Sequence, residues 1–267
     1  VGAHKHRLGT PQKIESQLLS KIGANHKVLA FHLVSEIHHG GIKTTDEFHA
    51  WYKRSLAYFQ NKTMNDAVVD QTMNLLKVCG AIRQEENGDW VATPVGSVAS
   101  MFYFSPFDVS DLKRNFQDLF DNNHQDDDYW LSMAIGNTDS QRMNIISRAE
   151  KEEMSLYSTK IKNLLGTKYY NESAVKAGFC YYQLLNGNNS SVLAATQRNL
   201  QFDYNRLSQV LIALDSMGSK WGRIKWFKGV EQRIANGVPM YLVDLCQISN
   251  IGKVRGKKLY DYGVKTA

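Results

Sequence analysis

From Ser105 to about Phe227 the apolar residues recur three and four positions apart, and no stretch alternates apolar with polar. That period belongs to the helix and not to the strand, so this half of the chain is predicted to be a bundle of packed helices. Breaks are expected near Asn122-Asn123, Gly136-Asn137, Gly166-Thr167 and Asn186-Gly187-Asn188-Asn189. The start is well marked. Ser105 offers an N-cap, Pro106 suits the first helical position, and Asp108 complements the dipole in the first turn. With 267 residues, 43% of them hydrophobic, the chain has room for two or three small domains and a sizeable core.

The N-terminal third reads as helices closed by one hairpin. Val28, Leu29, Phe31, His32, Val34, Ser35 and Ile37 keep helical spacing up to Gly40-Gly41. Thr44-Thr45-Asp46-Glu47 is a capping box for a helix bearing Phe48, Trp51 and Tyr52. A further helix is expected from about Met64 to Cys79, with Val68, Val69, Thr72, Leu75 and Leu76 on its inner face and Gly80 closing it. Ala81–Glu86 and Asp89–Thr93 flank Asn87-Gly88, which predicts a two-residue hairpin turn. Thr93-Pro94 opens the next helix. Three helices and a terminal hairpin outline a winged-helix domain.

Charge is concentrated at the other end. Residues 218–267 carry ten Lys and Arg against three carboxylates, a net +7 in a chain of net +6, so everything before them is close to neutral. A positive field beside a neutral body suits a polyphosphate partner. This segment also has order: Val238-Pro239, a helix from Met240 to Ile248, the turn Ser249-Asn250-Ile251-Gly252, and a helix from Lys253 to Tyr262 stopped by Gly263. Ile248–Leu259 matches the helix-hairpin-helix pattern of DNA-binding proteins, with Asn250 where the pattern's first glycine stands. The turn would aim the N–H groups of Gly252, Lys253 and Val254 at a phosphate, aided by the helix dipole. Lys253, Arg255 and Lys257 would add attraction without reading bases. Ile248, Ile251, Val254 and Leu259 are expected to pin the two helices together. A purely structural helical hairpin is the other reading of the same residues.

Taken in order, these landmarks resemble the C-terminal region of Ski-like superfamily-two helicases, in particular archaeal fork-remodelling DNA helicases and the helicase half of DNA polymerase theta. Gly9–Ser16 resembles the link leaving the second motor domain, Leu29–Ile37 the first winged-helix segment, Ala92-Thr93-Pro94-Val95-Gly96 the joint at its end, and Ile251–Tyr260 the closing hairpin. The resemblance implies four segments: a linker or tag remnant at 1–10, a winged-helix domain at 11–104, a helical bundle at 105–237 and a helix-hairpin-helix at 238–267. It also implies a "ratchet" helix along Phe202–Met217. That family places an Arg and, seven residues on, a Trp against the strand; here those positions hold Gln209 and Ser216, with Arg206, Lys220 and Arg223 near. Losing the Trp removes a stacking platform worth about 1–3 kcal/mol. Trp221 or Trp226 would then either replace it or belong to the core.

No GxxxxGK[ST] phosphate loop is present and no Asp-Glu-x-His motor segment is assigned, so the chain is expected to have no ATPase of its own. No cofactor is expected in it; ATP and Mg belong to the motor of the implied helicase. The expected partners are single-stranded or forked DNA, with RNA an alternative, and those motor domains. Asp126-Asp127-Asp128 is read as a helix start, not a metal site, and His38-His39 as a helix end. Cys79, Cys180 and Cys246 lack zinc or disulfide spacing. Absent a secretory signal or a membrane-length apolar run, an intracellular chain cut from a longer one is expected. Two other functions fit parts of the sequence: a winged-helix regulator reading duplex DNA through the Met64–Cys79 helix, and a protein-interaction scaffold of the kind found in splicing helicases.

Overall fold

The computed structural model describes residues 14–20, 26–169 and 171–267. Residues 1–10, expected as a linker, and most of the Gly9–Ser16 landmark lie outside them. The fold is mainly helical, with one two-stranded antiparallel sheet among the described residues. It divides into two compact units, residues 1–100 and 101–267.

In the first unit α1 (Lys27–His38), α2 (Thr45–Tyr52), α3 (Leu56–Phe59) and α4 (Asp66–Val78) precede the hairpin β1 (Ile82–Gln84) and β2 (Trp90–Ala92), and α5 (Pro94–Phe102) follows. The capping box forms as expected, Glu47 N–H to Thr44 Oγ1 at 3.3 Å and Thr44 N–H to Glu47 Oε2 at 3.1 Å. Asp46-Glu47-Phe48-His49 does spell Asp-Glu-x-His, contrary to the expectation that no such segment is present. It stands in the first turn of α2, its Glu consumed by the cap, and no phosphate loop accompanies it. Leu29, Ala30, Leu33, Val34 and Ile37 of α1 pack with Val69, Thr72, Met73 and Leu76 of α4 in the core.

The hairpin turn differs from the prediction. Glu85 N–H reaches Asp89 O at 2.9 Å and Gly88 N–H reaches Glu85 O at 2.9 Å, with Gly88 at φ 89°. Three residues, Glu86-Asn87-Gly88, make the loop, the type I turn plus left-handed residue that ranks next after the two-residue turns. At the joint after β2, Gly96 meets the chain so closely that a Cβ there would lie 2.1 Å from Ala81 O. Only glycine lets α5 dock on the hairpin's base.

The second unit is built around α9 (Glu172–Leu185), buried nearly all round, as a central helix must be. α6 (Pro106–Asp121), α7 (Asp128–Gly136), α8 (Arg148–Tyr169), α10 (Ala194–Leu214) and α11 (Ile224–Asn236) complete the bundle, with a 3₁₀ turn at Asp139–Gln141. α6 starts as expected, Ser105 Oγ accepting from Phe107 N–H at 3.3 Å. The expected breaks appear: Asn123 at φ 56°, α7 ending at Gly136, a kink at Gly166 (φ 63°) within α8, and Gly187 at φ 68°. α10 ends in a widened π turn, Asp215–Ser219, which its periodicity does not announce. A short 3₁₀ turn (Met240–Leu242) leads to α12 (Val243–Cys246) and, across a turn, to α13 (Lys253–Asp261).

Candidate nucleic-acid interface

The C-terminal element rests on its own small core, Val238, Leu242, Val243, Leu245 and Cys246, with Leu259 and Tyr260 packed against it. The closure point of α12 and α13 is Gly256, which is buried. A Cβ there would lie 3.1 Å from Cys246 Sγ and 3.8 Å from Ile251 Cγ2. This corrects two of the expected pins: Val254 is 70% exposed and Ile248 is 41% exposed, while Ile251 and Leu259 are half-buried. Gly256 could have been found as the small residue on an otherwise charged helix. Helices approach closely only where one of them lacks a side chain.

The turn takes the shape expected of it. Asn250 stands at φ 66°, in the left-handed region that Asn tolerates better than most residues. Gly252 is the N-cap of α13, with no side-chain cap and no atom within 4 Å of where a Cβ would stand. The first intrahelical bond runs from Gly256 N–H to Gly252 O at 2.8 Å, so the N–H groups of Lys253, Val254 and Arg255 precede the helical ladder. Two of the predicted cations, however, serve the fold. Arg255 Nη1 donates to Asn250 O at 2.7 Å and braces the turn. Lys253 Nζ donates to Gly187 O, tying α13 to the loop after α9. Lys257 and Lys258 are exposed, and their side chains make no intramolecular hydrogen bond or ion pair among the described residues. Lys265 Nζ lies 3.5 Å from the centre of the Tyr260 ring.

On α10, Gln209 and Ser216 are exposed, but Ser216 sits inside the π turn with its hydroxyl bonded back to Ile212 O at 2.9 Å. Arg206 is exposed too; its guanidinium reaches Phe102 O at 3.4 Å and stands 5.2 Å from the centre of the Phe104 ring. Beyond the helix, buried Asp215 takes Gly222 N–H at 2.8 Å and Arg223 N–H at 2.6 Å, shaping the loop that carries Lys220 and Arg223. Nothing in the sequence marks Asp215, since a lone Asp near a helix end has many possible fates. Arg223 lies 5.6 Å from the Phe120 ring centre. Trp221 and Trp226 join Phe116, Phe120 and Phe227 in one aromatic cluster, and Trp221 Nε1 donates to Gln117 Oε1 at 2.8 Å. Both are half-buried and packed into that cluster.

The remaining sequence features resolve into structure. Asp127 Oδ1 caps α7 by accepting from Tyr129 N–H at 2.8 Å, and Asp128 pairs with buried Arg233 at 2.8 Å. One of the ten C-terminal cations is thus neutralised inside the bundle. No cluster of three or more His, Cys, Asp or Glu suited to a metal occurs among the described residues. Among the same residues no helix is long and apolar enough to cross a membrane. A cavity of about 650 Å³, lined by Asn115, His124, Trp130 and Asn171 among others, contains none of the candidate residues. No model of a known protein family matches the chain.

Proposed function

We propose that this chain is the nucleic-acid-gripping C-terminal module of a Ski-like superfamily-two DNA helicase, holding single-stranded or forked DNA for an ATP-driven motor. In this reading the first unit is a winged-helix domain, α6–α11 form the ratchet bundle, and α12–α13 are a helix-hairpin-helix. The observation that carries it is the turn at Asn250. An uncapped helix start faces solvent there, beside Lys257 and Lys258, in the segment that carries a net +7. Free N–H groups, dipole and lysines together suit a phosphodiester and do not read bases.

Two further observations favour this reading over its rivals. The α4 helix, which a duplex-reading regulator would insert, has a single cation, Lys77, and that cation lies 4.4 Å from the Trp90 ring centre. Meanwhile α3 exposes Leu56, Tyr58 and Phe59, the last at 84%, an apolar surface suited to a protein neighbour such as a motor domain.

The test is fluorescence anisotropy against single-stranded, duplex and forked DNA across a salt series. Neutralising three or four phosphates of a single strand gives a fall of about 2 to 3 in log K per tenfold rise in salt. Lys257→Glu with Lys258→Glu should weaken single-strand and fork binding about tenfold or more without unfolding the chain. Tight duplex binding unmoved by that change would favour the regulator, and no binding at low salt would favour the scaffold.

A further inference from the structure

We propose that the cavity between the start of α10 and the start of α13 binds a phosphate group, held by Arg198 and Lys253. The cavity measures about 420 Å³, and among the described residues these two are the only charged side chains in its wall and no carboxylate lines it. Two cations facing one space without an anion repel each other, and a phosphate entering that space relieves the repulsion. The wall is built and not incidental. Gln197, only 3% exposed, fixes the adjoining loop by donating to Asn188 O at 2.7 Å and accepting from Ser190 N–H at 2.8 Å. Arg198 folds back over its own first turn, Nε to Ala194 O at 3.3 Å, which leaves both terminal nitrogens of the guanidinium for a ligand. Lys253 spends one proton on Gly187 O and keeps two. Asn189 adds a carboxamide with no intramolecular partner among the described residues.

The local dipoles point the same way. α10 and α13 both begin at this cavity, with Ala194 and Lys253 as their first residues; the loop before α10 is already served by Glu153, which accepts from Ser191 and Val192 N–H, so α13, with no side-chain cap, is the freer start. The negative end of α11 also reaches the wall at Asn236 and Gly237. Its carbonyls at Ile234 and Ala235 are already taken by Gln201 Nε2, at 2.8 and 3.1 Å. Glu153 adds one negative charge behind the loop at 190–192 but does not line the cavity, so the two cations of the wall still favour an anion.

The phosphate has two possible sources, a nucleic-acid backbone and free phosphate. Only the first rests on the function proposed above. Binding of inorganic phosphate and of an oligothymidine to the full chain, each at constant ionic strength, separates them. Phosphate should bind, Arg198→Gln should weaken both ligands about tenfold, and Arg198→Lys, which keeps the charge but loses the two-pronged contact, should weaken them less. Because Arg198 is exposed, its variants should melt with the parent. Failure of phosphate to bind, or indifference of phosphate affinity to Arg198→Gln, overturns the cavity. Oligothymidine binding that ignores Arg198→Gln also overturns it as a strand contact while leaving the proposed function standing. Phosphate binding lost on Arg198→Gln with no oligothymidine binding keeps the cavity and overturns the proposed function.

Discussion

Arg233 ties three helices of the bundle through one guanidinium. From α11 its Nη2 reaches Asp128 Oδ2 on α7 at 2.8 Å and Leu185 O at the end of α9 at 2.9 Å, with the side chain only 5% exposed. Replacing it by Met keeps the length and removes the charge. Breaking a buried pair from one side costs about 3–5 kcal/mol, because the abandoned charge stays desolvated. Asp128 retains 22% exposure, so water recovers part of its hydration and the cost falls to the low end. Losing the bond to Leu185 O adds about 1 kcal/mol. Arg233 Nε, buried without an acceptor, gives some of that back when it is deleted. The expected cost of Arg233→Met is about 3 kcal/mol, or about 6–12 °C in a unit of this size. Urea unfolding followed by Trp fluorescence measures it, with Asp128→Asn and the double variant closing a cycle. The double variant should cost at least 1.5 kcal/mol less than the two singles together. A cost for Arg233→Met below about 1 kcal/mol, or additivity within about 0.5 kcal/mol, would refute the assignment of a buried, coupled pair.

Burial holds the Asp108 carboxyl above its usual range, and the bonds from Ser140 only partly oppose that. A carboxyl raised in the folded state fits best protonated, so stability falls as pH rises through the raised value; Asp108→Asn should be more stable than the parent at pH 7, with the gap closing toward pH 4 in urea midpoints. For Glu153, burial pushes upward, but bonds from Ser190, Ser191 and Val192 prevail and hold it below the usual range. Its contribution is therefore present above the unfolded value and lost as pH falls through the folded one. Glu153→Gln should cost about 2 kcal/mol at pH 7 and little at pH 3, by thermal melts. Gly96→Ala should destabilise the first unit by about 3 kcal/mol, since its methyl would sit 2.1 Å from a backbone oxygen; an unchanged melt would mean α5 docks otherwise.

Elements whose cause is local were legible in the sequence. The Thr44–Glu47 box, the Ser105-Pro106 start, the breaks at Asn123 and Gly166, and the left-handed Asn250 follow from side chains acting on their own backbone. What escaped depends on partners far along the chain. The hairpin at Asn87-Gly88 was visible, but its loop length is set by the Glu85–Asp89 bond. Val254 looked like a pin by spacing, yet the face of α13 that meets α12 is the one carrying Gly256. Lys253 and Arg233 both counted as free charge in the sequence; one is tied to Gly187 and the other neutralised by Asp128, 66 and 105 residues away.

These engagements differ in what they leave for a partner. Asp128 pairs with Arg233, so that residue contributes little net charge to a field outside the bundle. The carbonyls of Gly187 and Asn250 only fix the positions of Lys253 and Arg255. A hydrogen bond to a neutral oxygen leaves the full positive charge in place, and Coulomb attraction to a phosphate depends on that charge and on distance. Fixed cations also lose less side-chain entropy on binding than free ones, where ordering a long side chain costs about 0.5–1.5 kcal/mol. Lys253 and Arg255 thus remain candidates through pre-set position, while Lys257 and Lys258 act through reach. Charge reversal should therefore perturb the two pairs differently. At Lys257 and Lys258 it should lower affinity alone, whereas at Lys253 and Arg255 it should lower affinity and loosen α13 together.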